Sequence, residues 1–378
     1  MRSSWAHAAL AGAAMLLTAC AKDPMNDPEY AAACHGKPVH GAADRSKAQE
    51  EGYSINERFD CIDRQSYEQE QKYRAETEKA RIERAARDAR PKVRSTPVKL
   101  AAARAGFSTS ISSPPSGMAL PHPPANMFVR SDYHGAVGKL PAWVTPDPRD
   151  GAKHPAIVWI TGGDSNSLDD FWTEGGADDD QSASAFRKAG VVMMFPTLRG
   201  GNTNAGRKEF FYGEVDDVIA AVRHAESLPY VGKVYLGGHS TGGTLALLAA
   251  EIGKFEGVFV FGAVTDVSRY PAEMFPGAPD ADAREVRLRS PVHWLDGISS
   301  PTYLIEGVER PGNFMELEEL CAATRNPFVH CVPVPGSNHF SVIDAVGKHL
   351  AARIAVNVAN GDALVTEREF SRGAANGE

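Results

Sequence analysis

One stretch of this 378-residue chain combines residue types and spacing that can do covalent chemistry. Val234-Tyr235-Leu236-Gly237-Gly238-His239-Ser240-Thr241-Gly242-Gly243 holds Gly238-x-Ser240-x-Gly242 between an apolar run and an Ala- and Leu-rich segment. A strand that turns sharply into a helix strains its backbone at the apex, so the flanking positions must be nearly bare, and the serine hydroxyl is pushed above the sheet. The helix that follows favours negative charge developing at its start. A hydroxyl at its ordinary pKa is a poor nucleophile and needs a base. Of twelve histidines, His339 is the best placed, in Pro335-Gly336-Ser337-Asn338-His339-Phe340 after the last apolar run. His239 points elsewhere from such a turn and His330 alternates within an apolar run, so both read as structural. The oxyanion left by attack needs two fixed N–H donors. One falls to the backbone of Thr241 and the other to Gly163 or Asp164, in the small-residue loop Thr161-Gly162-Gly163-Asp164.

Distant groups of this kind meet only on a scaffold that gathers loops at one edge. Apolar runs at 156–160, 191–195, 234–236, 258–261, 302–305 and 328–332 read as buried strands, with helical stretches at 213–225, 244–252 and 314–323 between them. This alternation predicts an α/β fold with a mainly parallel sheet covered on both faces. Residues 127–131 and 142–145 are expected to add an antiparallel edge. Upstream, residues 65–90 lack Gly and Pro and carry supporting pairs such as Glu68–Lys72 and Glu83–Arg87, the pattern of a charged helix. Residues 108–125 have the Pro- and Ser-rich composition of a linker.

The start of the chain has a signal-peptide pattern, with Arg2 followed by a short apolar stretch at 8–19, well under the roughly 20 residues of a spanning helix. Leu17-Thr18-Ala19-Cys20 resembles the lipobox of bacterial lipoproteins, which implies cleavage before Cys20, its lipidation, and a membrane-anchored protein facing the periplasm. Ala21 fits outer-membrane sorting. In an oxidising compartment the remaining Cys34, Cys61, Cys321 and Cys331 allow three disulfide connectivities, and proximity favours Cys34–Cys61 and Cys321–Cys331. The spacing of Cys34, His35, His40 and Cys61 matches no zinc pattern. A net charge of −8 argues against nucleic acid as a partner, since phosphate binding relies on clustered Lys and Arg.

Residues 125–358 resemble the α/β-hydrolase fold, and more closely the catalytic domain of the prolyl oligopeptidase type. The matching pieces are Thr161-Gly162-Gly163, Pro196-x-x-Arg199-Gly200-Gly201, Asp216-Asp217, the Gly-His-Ser-Thr-Gly-Gly elbow, Val264-Thr265-Asp266, Ser290-Pro291 and 300–307. The resemblance implies a serine hydrolase acting on ester or amide carbonyls of small esters or short peptides, without a metal or cofactor. The expected division is then a signal peptide at 1–19, a charged helical region at 20–90, a linker at 91–124, the hydrolase domain at 125–358 and a tail at 359–378.

Two features depart from the family. Its large propeller has no counterpart in the N-terminal residues, which carry no strand repeats. The family's His-Gly-x-x-Asp, which supplies the triad acid, reads here Glu306-Gly307-Val308-Glu309-Arg310. The resemblance therefore points to Glu309 as the acid, with Glu306 the alternative and Asp266 a third choice. Residues 164–180 also hold seven acidic and no basic side chains, a possible rim that would favour cationic substrates by focusing. The modest length between Thr265 and Gly297 suggests a small cap, favouring a carboxylesterase over a lipase and leaving a peptidase open. The competing reading is an inactive hydrolase fold serving as a binding or scaffold module.

Overall fold

Short β-branched and aromatic runs form the central strands, where Val192–Pro196, Val258–Phe261 and Thr302–Gly307 are buried on both faces, as a sheet sandwiched between helices allows. In the computed structural model the described residues are 93–271, 274–275, 282–356, 364–366 and 369–370, with Lys72, Glu78 and Arg81. The chain divides into two units, Met1–Pro91 and Lys92–Glu378. In the first, the three described residues are helical, and Arg81 pairs with Glu78 at 2.6 Å. Cys20, Cys34 and Cys61 lie outside the described residues.

The second unit contains, in chain order, helix α1 (Leu100–Arg104), strands β1 (Val129–Arg130), β2 (Tyr133–Gly135), β3 (Gly138–Leu140), β4 (Ala142–Val144) and β5 (His154–Ile160), then α2 (Ser184–Lys188) and β6 (Val192–Pro196). It continues with α3 (Glu214–Ser227), β7 (Val231–His239), α4 (Thr241–Ala250), β8 (Val258–Phe261), α5 (Ala283–Arg287), β9 (Thr302–Gly307), α6 (Phe314–Ala323), β10 (Val329–Val334) and α7 (Val342–Ala355). Eight strands form one sheet in the order β1-β4-β6-β5-β7-β8-β9-β10, and β2 with β3 makes a separate hairpin. From β6 to β10 every pairing is parallel, whereas β1, β4 and β6 pair antiparallel. This is the α/β-hydrolase arrangement. The antiparallel edge expected at 127–131 and 142–145 is β1 against β4, with Val129 opposite Val144. The β2–β3 hairpin and helices α2, α5 and α7 were not legible in the periodicity.

One apolar core lies between the sheet and α3, α4 and α6, and a second lies under α2 and α7. The C-terminal ends of β7, β8 and β9 are held in step, with His239 opposite Phe261 and Phe261 opposite Ile305. Loops leaving these ends therefore emerge side by side.

The Pro- and Ser-rich stretch before residue 125 is a correction to the expected linker: it belongs to the hydrolase unit. Leu100 is 0% exposed within the first core. Ser95 N–H donates to Ala323 O, Ser113 and Lys208 exchange two backbone bonds, and Ser116 N–H donates to Gly200 O. Glu285 accepts from Ser110 N–H at 2.7 Å and from Thr109 Oγ1 at 2.9 Å. Composition alone suggested a free connector because these bonds come from far along the chain. The expected tail is likewise partly docked, with Val365 buried and Leu364 N–H donating to Tyr303 Oη. Cys321 and Cys331 form a disulfide, joining the end of α6 to β10 (S–S 2.03 Å). Among the described residues no helix is long and apolar enough to cross a membrane.

Candidate active site

Ser240 occupies the turn between β7 and α4 with φ 56° and ψ −117°, a left-handed conformation that a non-glycine residue holds only when its surroundings impose it. Its N–H donates to Phe261 O at 2.8 Å and its carbonyl accepts from Thr244 N–H at 3.0 Å, so both sides of the apex are tied down. The glycines permit this closeness: a Cβ on Gly242 would lie 2.2 Å from Ile160 O, inside contact distance of the neighbouring strand.

His339 lies in the loop between β10 and α7, almost fully buried. Its Nδ1 is 3.1 Å from Glu306 Oε2, and the Glu306 side chain is 1% exposed. This corrects the expected acid. Glu309 is exposed, and its backbone N–H is tied to Ser337 O at 2.8 Å. The longer side chain of a glutamate at the end of β9 reaches the imidazole that a shorter aspartate would have to approach from the loop. The third choice, Asp266, caps the short helix Val267–Arg269 by accepting from Ser268 N–H. An acidic residue closing the otherwise apolar run Thr302-Tyr303-Leu304-Ile305-Glu306 was the signal that singled out Glu306.

The base and acid loops are stitched to each other. Val308 N–H donates to Val334 O, and His339 N–H donates to Pro311 O. Asn313 Nδ2 donates to Gly262 O at 2.8 Å. Gly262, at φ 68°, leaves the imidazole its space: a Cβ there would sit 2.3 Å from His339 Cε1 and 2.8 Å from Glu306 Oε2. Neither Gly262 nor Asn313 was singled out from sequence.

His239 is structural, as its place in the turn suggested. Its Nε2–H donates to the backbone carbonyl of His339 at 2.9 Å, and its Nδ1 faces the Gln181 carboxamide at 3.0 Å. The two imidazoles pack with centroids 4.5 Å apart. Burial, aided by the neighbouring His339, pushes His239 down to about 3, so the ring is neutral where hydrolases work. His330 stacks on Tyr303 at 4.9 Å, within the sheet.

The N–H groups of Gly163, Asp164 and Thr241 donate to no acceptor among the described residues. Gly163 has φ 68°, and its carbonyl is engaged by Thr241 Oγ1 at 2.9 Å, which fixes the two candidate oxyanion loops against each other. Beside them opens a cavity of about 260 Å³ whose walls include Gly163, Asp164, Thr241, Phe210, Phe211 and Met274. Donors without partners, a strained serine and a carboxylate-held imidazole together suit nucleophilic attack on a carbonyl and capture of the resulting oxyanion.

The acidic stretch does not form a uniformly negative rim. Asp164 is paired with Lys208 at 2.6 Å, and Glu174 with Arg187 and Lys188 at 2.5 and 2.6 Å. Asp180 is buried, and bonds from Ser182, Ser184 and the Gly175 N–H hold its carboxyl below the usual range despite burial.

The model of the prolyl oligopeptidase family (Peptidase_S9) matches residues 178–309, a span that runs from before α2 through β9 and includes Ser240 and Glu306. Among solved structures, the chain is similar to an esterase from Pyrococcus furiosus, with 14% identity over 65% of this chain and 97% of that one, at TM-score 0.49. A puromycin-hydrolysing peptidase from Mycobacterium tuberculosis is 19% identical over 62% of this chain and 41% of its own, at TM-score 0.48. Dipeptidyl peptidase 4 from Porphyromonas gingivalis is 20% identical over 57% and 32%, at TM-score 0.43. The chain thus spans less than half of either peptidase. The elbow, the parallel sheet that carries it and the family match over residues 178–309, which takes in the elbow and β6 to β9, make this chain a serine hydrolase of the α/β-hydrolase fold that resembles the prolyl oligopeptidase-type catalytic domain over that span.

Proposed function

We propose that the chain hydrolyses a carboxylic ester, or an amide by the same first half-reaction, through an acyl-enzyme on Ser240. The observation that carries this reading is the His339–Glu306 contact at 3.1 Å, on the loops next to the strained Ser240 turn. Ser240 Oγ attacks the carbonyl carbon while His339 Nε2 takes its proton. Glu306 keeps the other proton on Nδ1 and stabilises the imidazolium. The oxyanion is received by the N–H of Thr241 and that of Gly163 or Asp164. His339 then protonates the leaving oxygen or nitrogen, and a water deprotonated by the same imidazole releases the acid. The short cap between Thr265 and Gly297, which includes the turns Val267–Arg269, Ala283–Arg287, Pro291–His293 and Leu295–Gly297, favours a carboxylesterase over a lipase.

Cys20 is proposed as a lipid anchor holding the enzyme in the cell envelope, facing the periplasm. The lipobox-like Leu17-Thr18-Ala19-Cys20 and the Cys321–Cys331 disulfide, a bond suited to an oxidising compartment, support this. Mass spectrometry of the native N-terminus should find acylated Cys20, and an unmodified Cys20 would remove the anchor from the proposal.

The enzymatic reading is tested with a fluorophosphonate probe on protein lacking residues 1–20, with Ser240→Ala as control. Labelling of the parent alone is expected, followed by turnover of short esters in preference to aminoacyl amides. A folded parent that resists labelling would overturn it.

A further inference from the structure

The segment between Arg199 and α3 contains two consecutive bulky residues, Phe210 (φ 51°) and Phe211 (φ 67°), both in the left-handed region. That region favours glycine, and a phenylalanine held there has a backbone over-determined by its surroundings. The holder is Glu214, the first residue of α3, which is 0% exposed. Its Oε1 accepts from Glu209 N–H at 2.6 Å, Phe210 N–H at 3.1 Å and Asn166 Nδ2 at 3.0 Å, and its Oε2 accepts from Tyr212 N–H at 3.2 Å. One buried carboxylate thus fixes three backbone N–H groups of a single turn.

The turn lines the same cavity as Gly163 and Thr241, the residue after Ser240. Phe210, Phe211, Leu245 and Met274 supply the cavity's apolar wall, while Asp164, Ser165, Asn166 and Lys208 line it with polar groups. Phe211 is stacked on Tyr270, with centroids 5.1 Å apart and planes 2° from parallel. Tyr270 Oη lies 2.7 Å from Thr244 Oγ1, on the helix that Ser240 opens. The aromatic wall is therefore anchored from behind by Glu214 and from the side by the nucleophile's own helix. About 150 Å³ is enough to enclose benzene, so the volume of about 260 Å³ has room for a phenyl-sized group against the apolar wall.

We propose that this cavity receives the acyl side of the substrate, that it selects an aromatic or branched apolar group over a small one, and that Glu214 is the positioning residue that sets this selectivity by fixing the Phe210–Phe211 turn. The inference rests on the serine-hydrolase reading above and names the substrate class of that same site. A small acyl group leaves the wall uncovered and water in the cavity. A phenylacetyl-like group displaces that water and covers the rings.

The test uses p-nitrophenyl phosphonates that differ only in the group on phosphorus, methyl or benzyl, since phosphonylation of Ser240 mimics acylation and needs no assumption about the leaving group. The second-order labelling rate constants give a benzyl-to-methyl ratio, read within each variant so that a general loss of reactivity cancels. The parent should favour benzyl by at least about tenfold, and Phe210→Ala and Phe211→Ala should each lower the ratio by about tenfold. Glu214→Gln retains one acceptor oxygen but places an NH₂ toward Tyr212 N–H. It should lower the ratio by about three- to tenfold. A parent that labels with methyl and benzyl equally, or phenylalanine variants with the parent's ratio, would overturn the acyl pocket. Lowered ratios in the phenylalanine variants beside a parent-like Glu214→Gln would overturn the role of Glu214. No labelling of a folded parent by either probe would instead count against the serine-hydrolase reading itself.

Discussion

Two halves of the candidate site are built on different principles. The Ser240 turn is held by backbone alone: bare glycines against the neighbouring strand, a left-handed apex and bonds to Phe261 and Thr244. The base comes from the β10–α7 loop and the acid from the end of β9, 33 residues apart, and the loops that follow β9 and β10 are joined by Val308–Val334, Glu309–Ser337 and His339–Pro311 backbone bonds beside the His339–Glu306 contact. The first is rigid because the backbones of the adjoining core strands press directly against it. The second is rigid only while two loops remain tethered to each other. The nucleophile should therefore tolerate changes elsewhere, while the orientation of the base should be the site's sensitive variable.

The sharpest break of this comparison is at the acid. Glu306→Gln should lower kcat by about 10³–10⁴-fold, as expected when an imidazole loses the carboxylate that sets its tautomer. Glu309→Gln, an exposed change, should remain within about twofold. Equal losses in both variants would return the acid to the loop. Next in size is Gly262→Ala, whose methyl would collide with His339 and Glu306. A displaced base should reduce kcat by about 10²-fold, with circular dichroism unchanged. Retained kcat would mean that the tethered loops adjust more freely than their bonds suggest.

The disulfide tests whether stability and orientation are separable. Closing a ten-residue loop contributes about 3 kcal/mol in the chain-entropy picture. Denaturant unfolding of a Cys321→Ser/Cys331→Ser variant should show a loss near that size, with turnover of the folded protein kept. A further expected effect is on pH dependence. The fold holds His239 neutral down to about 3, whereas the unfolded chain protonates it near its usual value of about 6.5. The contribution of His239 to stability is therefore present above about pH 6.5 and is lost as pH falls from there toward 3. Melting temperatures between pH 7 and 4 should decline less steeply in His239→Gln than in the parent. Parallel curves would show that the ring is not kept from protons.

What could be read in advance follows the same division. The strands and the Ser240 turn were legible because a buried run and a glycine-flanked serine are local patterns. His339 was legible because it follows the last strand. Glu306 was ranked below Glu309 because counting positions along a loop says nothing of which carboxylate reaches across to another loop. Phe210 and Phe211 gave no sign of their left-handed backbone, since no glycine marks it. Glu214 looked like an ordinary acidic residue in a helix's first turn. The segment before residue 125 was misread because Thr109 and Ser110 resemble linker residues until Glu285 supplies their partner.

That segment also gives the enzyme a direction. Arg94 and Ser95 bond to Ala322 and Ala323 at the end of α6, and Asp296 N–H donates to Ser95 Oγ just ahead of β9. Both places lie where the strands begin, whereas Ser240 and His339 follow the places where strands end. The chain enters the hydrolase unit at one pole, and the reactive serine opens at the other. Coupling this unit to a solid support through its N-terminal end would therefore leave the substrate entrance turned toward the liquid, while coupling through side chains near Phe340 would bury it against the support.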